Sequence, residues 1–313
     1  MVGLPLIIGV STRALYDLTE EHEVFRAHGH AAYADIQLKR EDQVLKPGVA
    51  FEVTQRLLKL NKGLSTPVVI VVLLSKNSPD LSIRAFRSCV YYNLSVKHGS
   101  FTSGRSVAPY VPAWNVDLFL SNDSADVRSV FAAGIAAAHF GTALPVLVTE
   151  NAYDFPADEV RLAFDGDAVL FSAASDQIYK EQGLACFLEH EVAQAMNPMA
   201  PGPLGKTFLP KLALLREMFM REDGTSRVRI SLITARNAPA HERVVNTFRA
   251  WGTPADEAHF VGSTAKGRFL AATRAHIFFD DQLKHVESAG AFVPSGLVPG
   301  PHDPSNLIIP GND

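Results

Sequence analysis

The sequence has few cysteines, no long apolar run and no excess of basic residues. Its two cysteines, Cys89 and Cys186, are too few for a disulfide framework, so we expect reduced thiols. No apolar run approaches the roughly 18 residues of a membrane span, and we interpret the apolar segment 4–10, which follows no basic segment, as a buried strand rather than a signal peptide. Lys and Arg total 29 against 33 Asp and Glu, and this net charge of −4 disfavours a nucleic-acid-binding surface. These features predict a cytoplasmic protein with no membrane or nucleic-acid partner.

The length and an internal repeat predict two domains. At about 150 residues per domain, 313 residues leave room for two, and the 47% of apolar residues can supply a core for each. Similar residues also recur at nearly constant offsets of 154 to 160 positions. The pairs include Gly29 with Gly183, Pro47 with Pro201, Lys76 with Arg236 and Phe101 with Phe260. We infer an internal duplication, with domains at 1–145 and 146–313 and a junction near 141–158.

Each half is predicted to alternate apolar strands with amphipathic helices. The predicted strands are 5–10, 68–74 and 116–120 in the first half, and 160–164, 228–233 and 276–279 in the second. The predicted helices that follow them are 81–92 and 124–139, then 240–251 and 282–291. This alternation is typical of parallel sheets flanked by helices. We therefore predict an α/β fold of two tandem Rossmann-like lobes, with a helical cap insert at about 172–227 and an irregular Pro/Gly-rich tail at 294–313.

Acidic residues follow two apolar strands of the second half. Asp165 and Asp167 come directly after the first strand, and the pair Asp280-Asp281 comes after the last one. Thr234 ends the middle strand, and Lys266 lies in a polar loop. In a parallel sheet all these positions lie at the ligand-binding edge. Carboxylates there predict a site for a hard cation such as Mg²⁺, with a hydroxyl and an ammonium to bind a phosphoryl group.

This constellation resembles the haloacid dehalogenase-like phosphohydrolase superfamily, whose motifs are Asp-x-Asp, Thr or Ser, Lys and a terminal acidic pair. The longer phrases 161–172, 232–236 and 276–282, together with 10–17 of the first half, look like signatures of the cytosolic 5′-nucleotidase type I family. The resemblance covers nearly the whole chain before about residue 294. It implies a Mg²⁺-dependent 5′-nucleotidase that releases phosphate from nucleoside monophosphates such as AMP or IMP.

The resemblance also implies a role for each residue. Asp165 would be the nucleophile that forms an aspartyl-phosphate, and Asp167 would be the general acid and then the base. Thr234 would hydrogen-bond a phosphoryl oxygen, and Lys266 would neutralise its charge. The metal would be held by Asp165, the backbone carbonyl of Asp167, and Asp280, with Asp281 as a further ligand or a support. Arg236 and Asn237, which follow Thr234, are candidates for contacts to phosphate or ribose.

The first half lacks the acids at the equivalent positions. It has Val10-Ser11-Thr12 in place of the first acidic pair and Ser121-Asn122 in place of the terminal acidic pair. It keeps cations and donors at the same predicted sheet edge, namely Arg13, Lys76, Asn77 and Arg105. These residues predict an anion site for the substrate's nucleoside part or for a regulatory nucleotide. The alternative is a degenerate lobe that serves packing or homo-oligomer formation.

Two other functions remain open from the sequence. The same chemistry would also act on a phosphosugar or another small phosphomonoester. A non-catalytic nucleotide-binding sensor is a different class, which the complete set of Asp165, Asp167, Lys266 and Asp280 disfavours because a sensor needs no nucleophile.

Overall fold

A computed structural model describes residues 3–141 and 155–300 of the chain. The chain divides into two compact units, an N-terminal unit of residues 5–144 and a C-terminal unit that contains residues 145–313. The predicted junction falls mainly on 142–154, outside the described residues. Within the described ranges, no helix combines the length and the apolar character that crossing a bilayer would require.

The N-terminal unit begins with a buried strand and a long crossover. Its elements are β1 (Leu6–Val10), α1 (Thr12–Leu15), β2 (Tyr16–Asp17), α2 (Thr19–Lys39), β3 (Lys46–Pro47), α3 (Phe51–Lys59), β4 (Val69–Ser75), a 3₁₀ turn (Pro79–Leu81), α4 (Ser82–Tyr91), β5 (His98–Phe101), α5 (Tyr110–Ala113), β6 (Leu118–Ser121), α6 (Ser124–Ala132) and β7 (Ala136–Phe140). Runs such as Val69–Ser75 are buried along nearly their whole length, because helices cover both faces of a parallel sheet.

The C-terminal unit repeats this alternation. Its elements are β8 (Val160–Phe164), α7 (Ala174–Ala193), α8 (Phe208–Met218), β9 (Val228–Thr234), α9 (His241–Trp251), β10 (Glu257–Phe260), α10 (Gly267–Thr273), β11 (Ile277–Asp280), α11 (Leu283–Ala289) and β12 (Ser295–Leu297). The chain is thus an α/β protein with parallel strands, as predicted.

The strands of the two units have the same order. In the N-terminal unit the order is β7-β6-β1-β4-β5, and in the C-terminal unit it is β12-β11-β8-β9-β10. Neighbours within each set are parallel. A shared order with the first strand in the centre is what a duplication would produce, and common descent of the halves stays a prediction.

Besides the short antiparallel pair β2–β3, each unit has two parallel strands that the sequence analysis missed. In the N-terminal unit these are β5 and β7, and in the C-terminal unit β10 and β12. The predicted helix 124–139 is wrong beyond Ala132, since Gly134 adopts φ 82° and ends it before the buried strand β7. The predicted irregular tail is also wrong at Ser295–Leu297, which is buried and pairs with β11. The rest of that tail, residues 301–313, lies outside the described range.

The two predicted helices of the insert have different environments. Helix α8 buries Phe208, Leu209, Leu212 and Leu215 and packs on β9, so it belongs to the layer that flanks the sheet. Helix α7 leaves much of its length exposed and is kinked at Gly183, whose φ of 82° L side chains rarely adopt. In α2 the kink lies at the equivalent Gly29, with φ 77°. Only α7 therefore fits the predicted cap.

Candidate active site

Three neighbouring strands deliver the candidate residues of the C-terminal unit to one edge. Strand β8 lies between β9 and β11, and all three run in the same direction. Asp165 directly follows β8 and donates its backbone N–H to the carbonyl of Phe279, 2.8 Å away. Thr234 ends β9 and Asp280 ends β11. Parallel register alone therefore gathers residues that are more than 100 positions apart in the chain.

Lys266 connects two of the strand ends. Its Nζ lies 2.8 Å from Oδ1 of Asp165 and 2.7 Å from Oδ2 of Asp280. All three residues are buried, with 5% or less of each exposed. Burial alone would lower the pKa of Lys266, but the two carboxylates outweigh it and raise that pKa above the usual value. The ammonium is therefore a fixed positive charge between the two acids.

Three carboxylates at this edge can share a cation. Oxygens of Asp165, Asp280 and Asp281 lie within 4.8 Å of one another, and all three residues are buried. The backbone N–H of Gln282 donates to Oδ1 of Asp280 at 2.9 Å, and Nδ1 of His285 lies 3.2 Å from its Oδ2. An all-oxygen, anionic donor set is the kind that Mg²⁺ prefers. The residues therefore fit a hard divalent cation.

The protonation equilibria of these acids are shifted in different directions. Burial raises the pKa of Asp165, with Asp280 adding to this effect and Lys266 opposing it. Burial followed by repulsion from Asp280 and Asp165 raises the pKa of Asp281 to about 8. Burial would raise the pKa of Asp280 as well, but Lys266 and His285 outweigh it and lower that pKa. One lysine does not fully compensate three clustered carboxyl groups.

Asp167 faces a different partner from Asp165. Nε and Nη2 of Arg236 donate to its two carboxylate oxygens at 2.7 and 2.8 Å. Nη1 of the same guanidinium donates to Glu191 on α7. Arg236 is 4% exposed and Glu191 is 1% exposed. The Asp167 side chain is thereby tied to the helix that covers this edge.

Glu191 is a site residue that the sequence analysis missed. Its Oε1 accepts from Oγ of Ser175 at 2.8 Å and from Nη1 of Arg243 at 2.9 Å. The ring of Phe187 lies under the Arg236 guanidinium, with 5.3 Å between the ring centroid and Cζ. Glu191 lies eight positions after the kink glycine Gly183, and this offset recurs in the first half at Gln37. This shared spacing from a glycine is the sequence feature that could have pointed to Glu191.

Thr234 approaches the Asp165–Asp167 loop, whereas Asn237 does not join the cluster. A Cβ added at Gly166 would lie 3.2 Å from Oγ1 of Thr234, a tight contact that requires a small shift of the neighbouring atoms. The Thr234 hydroxyl also accepts the Arg236 backbone N–H at 3.3 Å. Asn237 is exposed, and its carbonyl accepts the N–H of His241 at the start of α9.

The residues predicted to bind an anion in the N-terminal unit lie in a mixed environment. Arg13, Lys76 and Asn77 line one cavity, but the exposed Arg105 does not. The anion site was predicted from the cations and donors alone, but Asp123 and Asp126 line the same cavity. Nζ of Lys76 lies 3.0 Å from a carboxylate oxygen of each. The sequence argument missed these acids because they belong to the start of α6, beyond the strand end.

Comparison with known proteins gives a family for the whole chain. The sequence model of the 5′-nucleotidase family matches residues 3–304. A curated relative, cytosolic 5′-nucleotidase 1B of Homo sapiens, is 32% identical over 294 residues, which are 91% of this chain and 47% of the relative. The chain thus spans about half the length of that relative.

A solved structure is similar only at a low level. It is a crystal structure of a candidate UDP-N-acetylglucosamine 2-epimerase from Listeria monocytogenes, with 11% identity and a TM-score of 0.24 over 94% of this chain and 78% of that one. A score this low shows neither a shared fold nor a shared function. The match of the family model from residue 3 to residue 304 is decisive, and this chain belongs to the 5′-nucleotidase family.

Proposed function

We propose that this chain is a Mg²⁺-dependent 5′-nucleotidase that hydrolyses nucleoside 5′-monophosphates through an aspartyl-phosphate on Asp165. The observation that carries the proposal is Lys266, whose Nζ lies 2.8 Å from Asp165 and 2.7 Å from Asp280, beside the third acid Asp281. Family membership supports the reaction class. The substrate class is the one named by the family and by the curated relative.

Asp165 is the proposed nucleophile. An Oδ of its carboxylate attacks the phosphorus, a new O–P bond forms, and the bond from phosphorus to the nucleoside 5′-oxygen breaks. Lys266 favours the ionised form of Asp165 through its ion pair and balances the charge of the transferring phosphoryl group. Thr234 supplies a hydroxyl donor to a phosphoryl oxygen from the adjacent strand end.

Asp167 is the proposed acid and base. It gives a proton to the departing 5′-oxygen, then takes one from the water that attacks the phosphorus of the aspartyl-phosphate. This second step releases inorganic phosphate and restores the Asp165 carboxylate. To act on the leaving group, Asp167 must exchange at least one of its two bonds with Arg236 for a bond to substrate. Arg236 can compensate by donating to a phosphoryl oxygen.

The metal would be held by the side chains of Asp165, Asp280 and Asp281, with the backbone carbonyl of Asp167 as an additional ligand. When bound, Mg²⁺ would offset the negative charge of these acids and of a dianionic substrate. Lys266 and His285 orient Asp280 from the protein side.

The N-terminal unit is proposed to be non-catalytic. Strand register places Ser11 where the C-terminal unit has Asp165, and Ser121 and Asn122 where it has Asp280 and Asp281. Hydroxyl and amide groups cannot form the same anionic metal site or a stable acyl-phosphate. Cytoplasmic location and homo-oligomer formation stay predictions.

The decisive experiment measures phosphate release from a panel of phosphomonoesters. Nucleoside 5′-monophosphates are expected to be hydrolysed with Mg²⁺ and not after EDTA treatment. Asp165→Asn is expected to lower kcat by about 10⁴-fold or more, as for other lost nucleophiles, with an unchanged circular dichroism spectrum. The matched control is Asp42→Asn, since the Asp42 side chain is 94% exposed in the other unit.

Other outcomes of the panel would contradict this proposal. Preferred turnover of sugar phosphates would indicate a phosphatase for another small phosphomonoester. Nucleotide binding without turnover of any substrate would indicate a sensor. Turnover by Asp165→Asn at the rate of the unmodified protein would exclude Asp165 as the nucleophile.

A further inference from the structure

The N-terminal unit contains a cavity of about 350 Å³ to which the proposed reaction gives no role. It opens at the carboxyl ends of three parallel strands, with Ser11 after β1, Ser75 at the end of β4 and Ser121 at the end of β6 among its lining residues. Such edges are where ligands bind in α/β sheets. The volume lies within the range of small-molecule sites, about 300–1,000 Å³.

Aromatic rings from α2 form one wall of the cavity. Phe25 lies parallel to His22, with 5.8 Å between ring centroids and 14° between planes, and edge-on to Tyr33 at 6.0 Å. The Tyr33 hydroxyl donates to Oδ1 of Asn77 at 3.1 Å and accepts from Nε2 of Gln37 at 3.0 Å, so this ring is fixed. Phe25 is 42% exposed and lines the cavity, so part of its ring is accessible to a ligand. A flat ring of a ligand would cover it.

The charges around the cavity balance. Of the described residues that line it, Arg13 and Lys76 are cationic and Asp123 and Asp126 are anionic. Nζ of Lys76 forms an ion pair with a carboxylate oxygen of each acid, at 3.0 Å in both cases. Burial and the nearby Arg13 lower the pKa of His22, so this ring is neutral at pH 7. A phosphate entering here would meet two carboxylates and would have to displace them from Lys76.

Hydrogen-bonding groups are nevertheless abundant. Thr12 and Ser75 contribute hydroxyls 3.1 Å apart, and the two carboxylates are acceptors. Carboxylate oxygens pair well with the hydroxyls of a sugar, and a guanidinium such as that of Arg13 pairs with ring acceptors. A neutral molecule with one flat ring system and several hydroxyls matches this lining better than an anion does.

We propose that this cavity is a second binding site, specific for an uncharged nucleoside. The ring system would stack on Phe25, and the sugar hydroxyls would bond to Asp123 or Asp126. This differs from the nucleotide site that the cations alone predicted, because Asp123 and Asp126 remove the excess positive charge. The nucleoside is also the class of product that the proposed hydrolysis releases, although the binding site does not depend on that activity.

The first test is calorimetric titration of the full chain with adenosine and with inosine. Phe25→Ala is expected to weaken nucleoside binding by about tenfold, through loss of stacking. Tyr110→Ala is the matched control, since that ring is also 42% exposed in the same unit but does not line the cavity. Its affinity is expected to stay within twofold of the unmodified protein. Absence of nucleoside binding, or equal losses in the two variants, would overturn the proposal.

A second variant tests the sugar contact without removing a ring. In Asp123→Asn the amide oxygen can still accept the backbone N–H of Asp126, as Asp123 does at the start of α6, so the fold is preserved. The variant is expected to weaken adenosine more than 2′,3′-dideoxyadenosine, because only adenosine has both ring hydroxyls. Equal weakening of the two would contradict a sugar contact at Asp123.

A third measurement tests the charge argument. The Asp165→Asn protein is used because, by the proposed mechanism, it cannot hydrolyse the monophosphate. Adenosine and its 5′-monophosphate are each titrated into this protein with and without the additional change Phe25→Ala. For the binding that Phe25→Ala weakens, the affinity is expected to be at least tenfold higher for the nucleoside than for the monophosphate. A Phe25-dependent preference for the monophosphate would overturn the proposed specificity. The nucleotidase proposal would be unaffected, since its test is phosphate release.

Discussion

Arg84 and Arg243 make the same contact in the two units. Each is the third residue of its helix, α4 after strand β4 for Arg84 and α9 after strand β9 for Arg243. Nη1 of Arg84 donates to Oε1 of Gln37 at 2.8 Å, and Nη1 of Arg243 donates to Oε1 of Glu191 at 2.9 Å. The accepting residues each lie eight positions after the kink glycine of their helix. The C-terminal unit thus has a carboxylate where the N-terminal unit has a neutral amide.

From this difference between the units we infer that Glu191 positions Arg236, and through it Asp167. We expect Glu191→Gln to lower kcat by about tenfold with KM within twofold, because Arg236 loses an anionic partner while the substrate contacts remain. The amide is already accommodated at Gln37, so the variant should fold. The free energy of unfolding should fall by about 1.5–3 kcal/mol, the usual value of a hydrogen bond to a charged group.

The control for this prediction lies in the same helix. Glu189 is exposed, so Glu189→Gln should change neither kcat nor the unfolding midpoint in urea. A purely structural role for Glu191 would lower the midpoint and leave kcat per folded molecule unchanged. Steady-state kinetics at a temperature well below the melting transition separates the two cases.

Lys266 is expected to matter for both stability and turnover. Lys266→Ala leaves Asp165 and Asp280 buried without their common counter-charge, which should cost about 3–5 kcal/mol of unfolding free energy. Loss of the ammonium should also lower kcat by about 10²- to 10³-fold, as for other groups that stabilise developing charge. Lys206→Ala, at an exposed lysine of the same unit, is the control and should be neutral. An active Lys266→Ala protein of unchanged kcat would remove this residue from the mechanism.

The Gly202–Gly205 segment fixes the loop after Asp167. A Cβ at Gly205 would overlap the carbonyl oxygen of Leu170, and one at Gly202 would overlap that of Phe171. We therefore expect Gly205→Ala to lower the free energy of unfolding by about 1–3 kcal/mol or more, as for other overpacked sites. Gly141→Ala is the control, because no atom of the residues that the structure describes lies within 4 Å of its added Cβ. Denaturant unfolding of the two variants measures the difference, and equal midpoints would contradict the packing argument.

The sequence predicted the central strands and missed the edge strands for a physical reason. Strands such as Val160–Phe164 are buried on both faces, so they are continuous apolar runs that stand out from their surroundings. Edge strands β5 (His98–Phe101) and β10 (Glu257–Phe260) are only partly buried and contain polar residues, so they look like loops. Strand β7 (Ala136–Phe140) has three alanines, which favour a helix in isolation.

The site was predictable where position along a strand decides it. Asp165, Thr234 and Asp280 lie together because parallel strands end at one edge. The contacts of Glu191 and His285 depend on how helices pack over that edge, which periodicity does not reveal. The offset of 160 between Lys76 and Arg236 was one residue too long. Phe101 pairs with Ser75 in the N-terminal unit, and Phe260 pairs with Thr234 in the C-terminal unit, so Ser75 corresponds to Thr234. The equivalent of Arg236 is therefore Asn77.

Mg²⁺ is expected to stabilise the folded protein, independently of turnover. The carboxylate oxygens of Asp165, Asp280 and Asp281 lie within 4.8 Å of one another, and a bound cation would relieve their repulsion. A ligand that binds only the folded state at 100 times its Kd adds about 2.7 kcal/mol. For domains of 150–250 residues this corresponds to a rise in Tm of about 5–11 °C. Scanning calorimetry with Mg²⁺ against EDTA, at constant ionic strength, measures the shift.

Asp280→Asn distinguishes a specific metal site from a general salt effect. The amide removes one of the three carboxylates and weakens its bond to Lys266, so the rise in Tm with Mg²⁺ should disappear even if the variant starts from a lower Tm. Asp42→Asn, at an acid that is 94% exposed, should keep the full rise. The comparison is informative because Asp42→Asn and Asp280→Asn remove the same formal charge from the chain. A Mg²⁺-dependent shift that survives in Asp280→Asn would mean that the stabilising cation binds elsewhere.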